Sequence, residues 1–299
     1  MSANLTDLSK YIYGTTRLGH DDKPFEQRVQ VARAAMDAGV WFHTSHTYGD
    51  TFKVLRAAYD RDRAGVPQAI FKIGNNSMEE VLERIRLNLE PLGLDHMSIG
   101  QLCLSGQLAE EFRSGGPCYD AFRILKDKGL VQRFVLEVWP WNSDVALDAL
   151  RAGYPEGIVD GYIFYYNPLQ RFVSNELLAE IQARDWPMVA MRTVAGGSVY
   201  VVRDSGKFPV YLQERAAQVA PLFEASACQG WVEFCTRFIF GVPQVRATVG
   251  STSNPDNLNE FLSEVQSPLP LPDEIQQAVL DLQSTWAEEH DRHAEPGSM

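Results

Sequence analysis

The run AIFKIGNNSMEEVLERIRLNLEPLGLDHMSIGQLCL, residues 69–104, holds a complete strand, helix and strand in that order. Residues 69–73 are apolar apart from Lys72 and too few for a helix, so they read as a buried strand. Ser77 with Glu80 three residues later gives a capping-box pattern at a helix start. Val81, Leu82, Ile85 and Leu89 then predict that helix's buried stripe. After the turn Leu92-Gly93-Leu94-Asp95, residues 98–104 form the second strand. Strands that alternate with helical stretches in this way signal a parallel sheet with crossover helices.

The same plan extends in both directions. Upstream, Phe25, Val29, Ala32 and Met36 recur at helical spacing after Pro24, Gly39 ends the helix, and residues 40–42 make a strand. Downstream, strands are predicted at 132–138, 161–165, 188–192 and 244–249, with helical segments between most of them. With residues 11–13 the strand count reaches eight, which closes a (β/α)8 TIM barrel, whereas open doubly wound sheets usually have fewer. Asn254 is a good N-cap and Pro255 suits the first helical position, so a helix start capable of binding anions follows the last strand. A Pro-punctuated linker, 267–272, leads to a C-terminal helix at 273–290 bearing Ile275, Val279, Leu282 and Trp286. One domain is expected, with its core at about 8–265 and a frayed tail at 291–299.

Composition narrows the function classes. At 299 residues with 45% hydrophobic and 22% charged, the chain is a globular protein of ordinary barrel length. Its net charge of −12 disfavours nucleic acid and anionic membranes as partners. No apolar run is long enough to span a bilayer and the N-terminus lacks the pattern of a secretory signal, so a cytoplasmic location is expected. Cys103, Cys118, Cys228 and Cys235 have no CxxC spacing, which argues for reduced thiols over zinc or disulfides.

Several segments, taken in order, resemble the aldo-keto reductase family. Leu8 to Gly19 resembles its opening strand, and Asp37-Ala38-Gly39-Val40 with Tyr48-Gly49 resembles the stretch carrying its first two catalytic residues. The turn at Leu92 to Asp95, Tyr166-Asn167-Pro168-Leu169, Ala195-Gly196-Gly197 and the phosphate loop Gly250-Ser251-Thr252-Ser253-Asn254-Pro255 follow in the family's order. The resemblance implies the barrel, carbonyl reduction with NADPH, and a tetrad of tyrosine, lysine, aspartate and histidine. Tyr48 and Lys72 stand at the tyrosine and lysine positions, but His43 occupies the aspartate position and Cys103 the histidine position. On the cofactor side, Gly250, Ser251, Thr252 and Asn254 match the phosphate loop, and Arg192 offers a cation. Glu137-Val138 replace the family's Ser-Asn, Ile163 its glutamine, Asn257 its arginine, and Phe261 the residue that contacts adenine.

These replacements have chemical consequences. A phenol near pKa 10 needs a neighbouring cation to exchange protons at neutral pH. His43 cannot hold that lysine by charge, and Cys103 is a poor donor for placing a carbonyl oxygen. Glu137 near the mouth is either a general base or a carboxylate paired with Arg192 or Lys72. Cys103 is either a nucleophile with His43 as base or a small buried hydrophobe. His43 and His46 form an HxxH pair, but three residues along a strand separate them onto opposite faces, so no metal site is expected. Trp139, Trp141, Tyr165 and Tyr166 either line a pocket, with His46, Trp139 and Tyr166 nearest the substrate, or pack beneath the rim.

The leading expectation is a redox-independent enzyme on a small metabolite, of lyase, dehydratase, isomerase or cyclase type, with Tyr48, Lys72, His43, Cys103 and Glu137 at the reaction and no cofactor required. One alternative is an NADPH-dependent reductase or alcohol dehydrogenase with an atypical tetrad. The other is a catalytically silent binding or regulatory subunit. Substrate identity and oligomeric state are not written in these residues.

Overall fold

The computed structural model describes residues 5–74, 76–195, 210–266, 268–289 and 291. In chain order the elements are β1 (Tyr11–Gly14), α1 (Phe25–Asp37), β2 (Trp41–Thr44), α2 (Thr51–Arg61), β3 (Ala69–Lys72), α3 (Met78–Leu89), β4 (Met97–Cys103), α4 (Gly106–Ser114), α5 (Cys118–Asp127) and β5 (Val131–Glu137). There follow α6 (Ser143–Ala152), β6 (Gly161–Asn167), β7 (Gln170–Arg171), α7 (Asn175–Ala183), β8 (Met188–Met191), α8 (Val210–Ala225), α9 (Trp231–Phe240), β9 (Val245–Ser251), α10 (Pro255–Glu264) and α11 (Asp273–Glu289). Parallel pairing runs β5-β4-β3-β2-β1-β9-β8-β6, and β5 also pairs with β6, which closes the eight strands into a barrel. β7 is a two-residue antiparallel return on β6, too short to read from the chain.

Alternation along each strand divides the apolar residues into two cores. Ile12, Ile70, Ile99, Val135, Ile163 and Val189 pack inside the barrel. The larger cluster, including Phe42, Phe71, Phe134, Phe164 and Tyr166, lies between the sheet and its helices. Each fully buried aliphatic side chain contributes roughly 1.5–3 kcal/mol, so closure of both layers drives folding.

Local signals mostly act as expected. Ser77 Oγ accepts from Glu80 N–H at 3.3 Å, but the Glu80 carboxylate accepts from Asn76 N–H, also at 3.3 Å, and does not return to Ser77. Leu82 and Phe25, expected on buried stripes, are half exposed, because Leu82 lies about 100° round the helix from Val81. Among the described residues no helix is long and apolar enough to cross a membrane. α11 packs on α7, α8 and β7. Asp291, placed by the sequence in a frayed tail, is buried against Arg215; residues 292–299, like Gly196, Gly197 and Ser267, lie outside the described residues.

Candidate active site at the barrel mouth

The interior is aliphatic until the strands approach their C-terminal ends, where the inward positions turn polar. His43 on β2, Lys72 on β3, Gln101 and Cys103 on β4, Glu137 on β5 and Tyr165 on β6 each continue the inward alternation set by Trp41, Ile70, Ile99, Val135 and Ile163. Tyr48 comes from the loop between β2 and α2. Active sites of such barrels form at this end.

Lys72 Nζ donates to Glu137 Oε1 at 3.2 Å, and Trp139 Nε1 donates to the same oxygen at 3.1 Å. Glu137 is 3% exposed and the Lys72 side chain 27%, so the carboxylate of this ion pair is withdrawn from water, with an indole completing its shell, while the lysine is half-buried at the mouth. Burial, the largest single influence, would lower the lysine's affinity for its proton, but the Glu137 charge and hydrogen bond together with Tyr48 and Tyr165 outweigh it and hold Lys72 above the ordinary lysine value. Of the two partners that the sequence left open for Glu137, Lys72 is the one it meets.

The Tyr48 phenol is raised by burial; the Lys72 charge opposes that, Glu137 reinforces it and a hydrogen bond with Thr16 opposes it. The phenol is therefore protonated at rest, with an ammonium beside it to stabilise the anion once the proton leaves. The backbone that presents Tyr48 is fixed by a close approach: a Cβ added to Gly19 would stand 1.8 Å from the Tyr48 carbonyl oxygen. Only a residue without a side chain lets the β1–α1 connection pass there.

His43 Nε2 shares a 2.7 Å hydrogen bond with Gln101 Oε1, and Gln101 is fully buried across the barrel. Burial and the nearby Lys72 charge lower the imidazole to about 4, against partial compensation from Gln101 and Glu137, so it is neutral at physiological pH. Its bonded partner is Gln101 and not Lys72 or Cys103. The Cys103 thiol is pushed up to about 12, first by burial and then by Glu137, so it stays a thiol and the nucleophile reading loses its chemical basis. Gln101 was missed by sequence reasoning, although its place between Ile99 and Cys103 on one strand face marks it as an inward polar residue.

Two expected pocket residues lie elsewhere. Tyr166 faces outward and stacks on Phe238 of α9 at 5.6 Å, because neighbouring strand residues point to opposite sides; Tyr165 is the one facing the mouth. His46 is drawn against α3, its N–H donating to Asn88 Oδ1 at 2.9 Å. Trp139 does belong to the mouth, in a wall with Trp141 at 4.8 Å and Tyr165 at 4.9 Å between ring centroids. Arg192 follows β8 with its guanidinium 5.2 Å over the Tyr165 ring.

On the opposite side of the mouth, the loop after β9 is tied down. Tyr11 Oη donates to Gly250 O at 2.8 Å, Tyr13 Oη to Thr252 O at 2.7 Å, and Arg17 N–H to Ser251 Oγ at 3.0 Å. Asn254 caps α10 by accepting from Asp256 N–H at 3.0 Å, and Asn257 is exposed on that helix. Phe261 lies flat on Tyr11, centroids 5.1 Å apart. A separate cavity of about 660 Å³ opens at the strands' N-terminal end, but Lys126, Arg133 and Arg184 there are already paired with Asp160, Asp7 and Glu180.

No family model and no curated protein matches this sequence. Solved structures do match in shape. An aldo-keto reductase from Bacillus halodurans, in its holo form, superposes with a TM-score of 0.73 at 20% identity, covering 95% of both chains. An aldo/keto reductase from Klebsiella pneumoniae in complex with NADP and acetate gives 0.67 at 17% identity, over 93% of this chain and 92% of the other. One from the same organism in complex with NADPH gives 0.70 at 14%, with the same coverage.

For a dinucleotide, the capped helix start and polar loop after β9 suit the phosphate half. The ring half is different: Val138 and Ile163 are buried and apolar, and Glu137 is engaged by Lys72 and Trp139. These residues do not fit the amide grip on a nicotinamide that the resemblance implies. What the shape comparisons establish is the architecture: this chain has the barrel fold of the aldo-keto reductases.

Proposed function

We propose that this chain is a small-molecule enzyme that protonates a carbonyl oxygen through Tyr48, with Lys72 as the cation that makes the phenol acidic enough and Glu137 as the carboxylate that holds the lysine. The observation that carries this reading is the Lys72–Glu137 pair, whose carboxylate is buried. Position 43 no longer supplies a carboxylate to the lysine; β5 supplies one from the other side. As charge grows on the carbonyl oxygen, the Tyr48 hydroxyl gives up its proton and Lys72 stabilises the phenolate. Neutral His43 adds no second positive charge beside Lys72. A buried ion pair contributes little to stability compared with apolar packing, so a silent scaffold gains nothing by keeping one here.

Two reactions use that proton. NADPH-dependent carbonyl reduction is favoured by the fold shared with the NADP-bound and NADPH-bound Klebsiella proteins, with Gly250, Ser251, Thr252 and Asn254 toward the phosphates. A redox-independent lyase, dehydratase, isomerase or cyclase is favoured by Val138 and Ile163, which offer nothing to a nicotinamide amide. Calorimetric titration with NADPH, beside turnover of an aldehyde panel with and without it, separates them. NADPH-dependent turnover lost in Tyr48→Phe selects the reductase; turnover without NADPH, also lost in Tyr48→Phe, selects the second. Wild-type rates in both Tyr48→Phe and Glu137→Gln would sink the proton-donor reading.

A further inference from the structure

Lys72 cannot be anchored by a carboxylate and keep its whole charge for the phenol. The carboxylate that holds it also neutralises it, and a Tyr48 phenolate is stabilised only by the charge that remains. Glu137 Oε1 takes a second donor beside the ammonium at 3.2 Å, the indole N–H of Trp139 at 3.1 Å. That indole is firmly held. Trp141 stacks on it at 4.8 Å with 14° between the planes, and Tyr165 and Phe172 tilt against it at 4.9 and 5.7 Å. Its backbone is clamped as well, the N–H donating to Asn142 Oδ1 at 2.8 Å and the carbonyl accepting from Ser143 Oγ at 2.9 Å. Packed by three rings, the indole meets the polar groups of the mouth through its N–H. The Cys103 thiol, beside Glu137 in strand register, also hydrogen-bonds with it, but an uncharged sulfur competes weakly with a carboxylate.

We propose that Trp139 is a positioning residue that takes up part of the Glu137 charge through its N–H, so that Lys72 keeps enough of its own to stabilise the Tyr48 phenolate. This rests on the proposed use of Tyr48 as proton donor. A hydrogen bond donated to a carboxylate disperses its charge, and an oxygen shared in this way draws less strongly on the ammonium. Glu137 is withdrawn from water, where such sharing counts for more than at an exposed surface. The titratable groups facing Tyr48 are Lys72 from β3, Glu137 from β5, Tyr165 from β6 and, at 6.5 Å between ring centroids, the neutral imidazole of His43 from β2. Lys72 and Glu137 act on the phenol in opposite directions, and the indole sits on the balance between them.

The test needs no turnover. Tyr48 is replaced by a ring-fluorinated tyrosine, whose phenol ionises at lower pH, and its titration is followed by fluorine NMR in the otherwise native chain, in Trp139→Phe, in Glu137→Gln and in the double variant. Loss of the N–H should raise the phenol's midpoint, leaving about threefold less phenolate at a fixed pH below it. With Glu137→Gln already in place, Trp139→Phe should change nothing, because the charge it acts through is gone. Benzothienylalanine at position 139 keeps the shape of the indole without its N–H and should reproduce the shift, even where the phenylalanine variant fails to fold. An unmoved midpoint, a downward shift, or the same upward shift with and without the Glu137 carboxylate each overturns the inference; the last would come from burial alone. Turnover that survives Tyr48→Phe sinks the proton-donor reading and leaves the titration standing, whereas a titration without the shift removes Trp139 and leaves the donor reading in place.

Discussion

Glu137 does for Lys72 what the imidazole at position 43 cannot, because only a carboxylate both accepts the ammonium's hydrogen bond and offsets its charge. Glu137→Gln keeps the shape and removes the charge. Losing one charge-assisted interaction worth about 1.5–3 kcal/mol in the transition state should lower kcat by roughly 10- to 100-fold. The rise in Lys72's pKa should also shrink, moving the alkaline limb of the pH–rate profile downward; an unchanged limb would refute the anchor. His43 gives a second residue-scale prediction through stability. Its folded value of about 4 lies below the ordinary 6.5, so the unfolded chain takes up the proton first as pH falls. Stability contributed by the neutral imidazole is full above 6.5 and drains away as pH approaches 4, by roughly 3 kcal/mol at most. Urea melts of His43→Gln should lack that acid-side loss; an identical slope in both proteins would place the titrating group elsewhere.

Among the elements, the connection from β1 to α1 sets the position of Tyr48, the proposed proton donor. The added methyl of Gly19→Ala meets backbone, the Tyr48 carbonyl, and not the end of a flexible side chain, so the loop after β2 must move. A displacement of about 1 Å at a reacting group is enough to cost about 100-fold in rate. The expected outcome is a protein with the same circular dichroism spectrum and a kcat reduced by that order; unchanged turnover would mean that the two loops yield without moving the phenol. The β3 end is packed as closely, since a Cβ on Gly74 would lie 2.1 Å from Cys103 N. Helix α3 ties the same region from outside, with Asn88 Nδ2 donating to Lys72 O at 3.1 Å.

For the whole molecule, the C-terminal segment braces the mouth from behind. Gln283 Nε2 on α11 donates to Asn167 O at 2.7 Å, and the Asn167 side chain in turn holds the Arg192 carbonyl. Arg215 of α8 is sandwiched between the Tyr211 and Trp286 rings, each centroid 4.7 Å away, and pairs with Asp291 at 2.5 Å. Both members of that pair are 3% exposed. Asp291→Ala therefore strands a buried guanidinium and should destabilise the protein by about 3–5 kcal/mol, read as a lower urea midpoint. A shift below 1 kcal/mol would show that the segment is merely laid on the surface.

The barrel was legible in the chain because each β/α unit announces itself through local periodicity, and eight such units have few ways to bury their strands. Lys72, Cys103 and Glu137 were placed at the barrel mouth by the resemblance to the aldo-keto reductases, which lines them up with that family's site positions. What the chain alone left open were the pairings. Lys72 meets Glu137 from 65 residues away and His43 meets Gln101 from 58, distances over which no local pattern extends. Alternation shows that Tyr165 and Tyr166 face opposite sides, but only pairing with neighbouring strands decides which side is inside. Sequence by itself determined the elements and the kinds of chemistry at their ends. Tertiary structure alone decided which carboxylate faces which cation, because barrel closure brings together side chains that the chain keeps far apart.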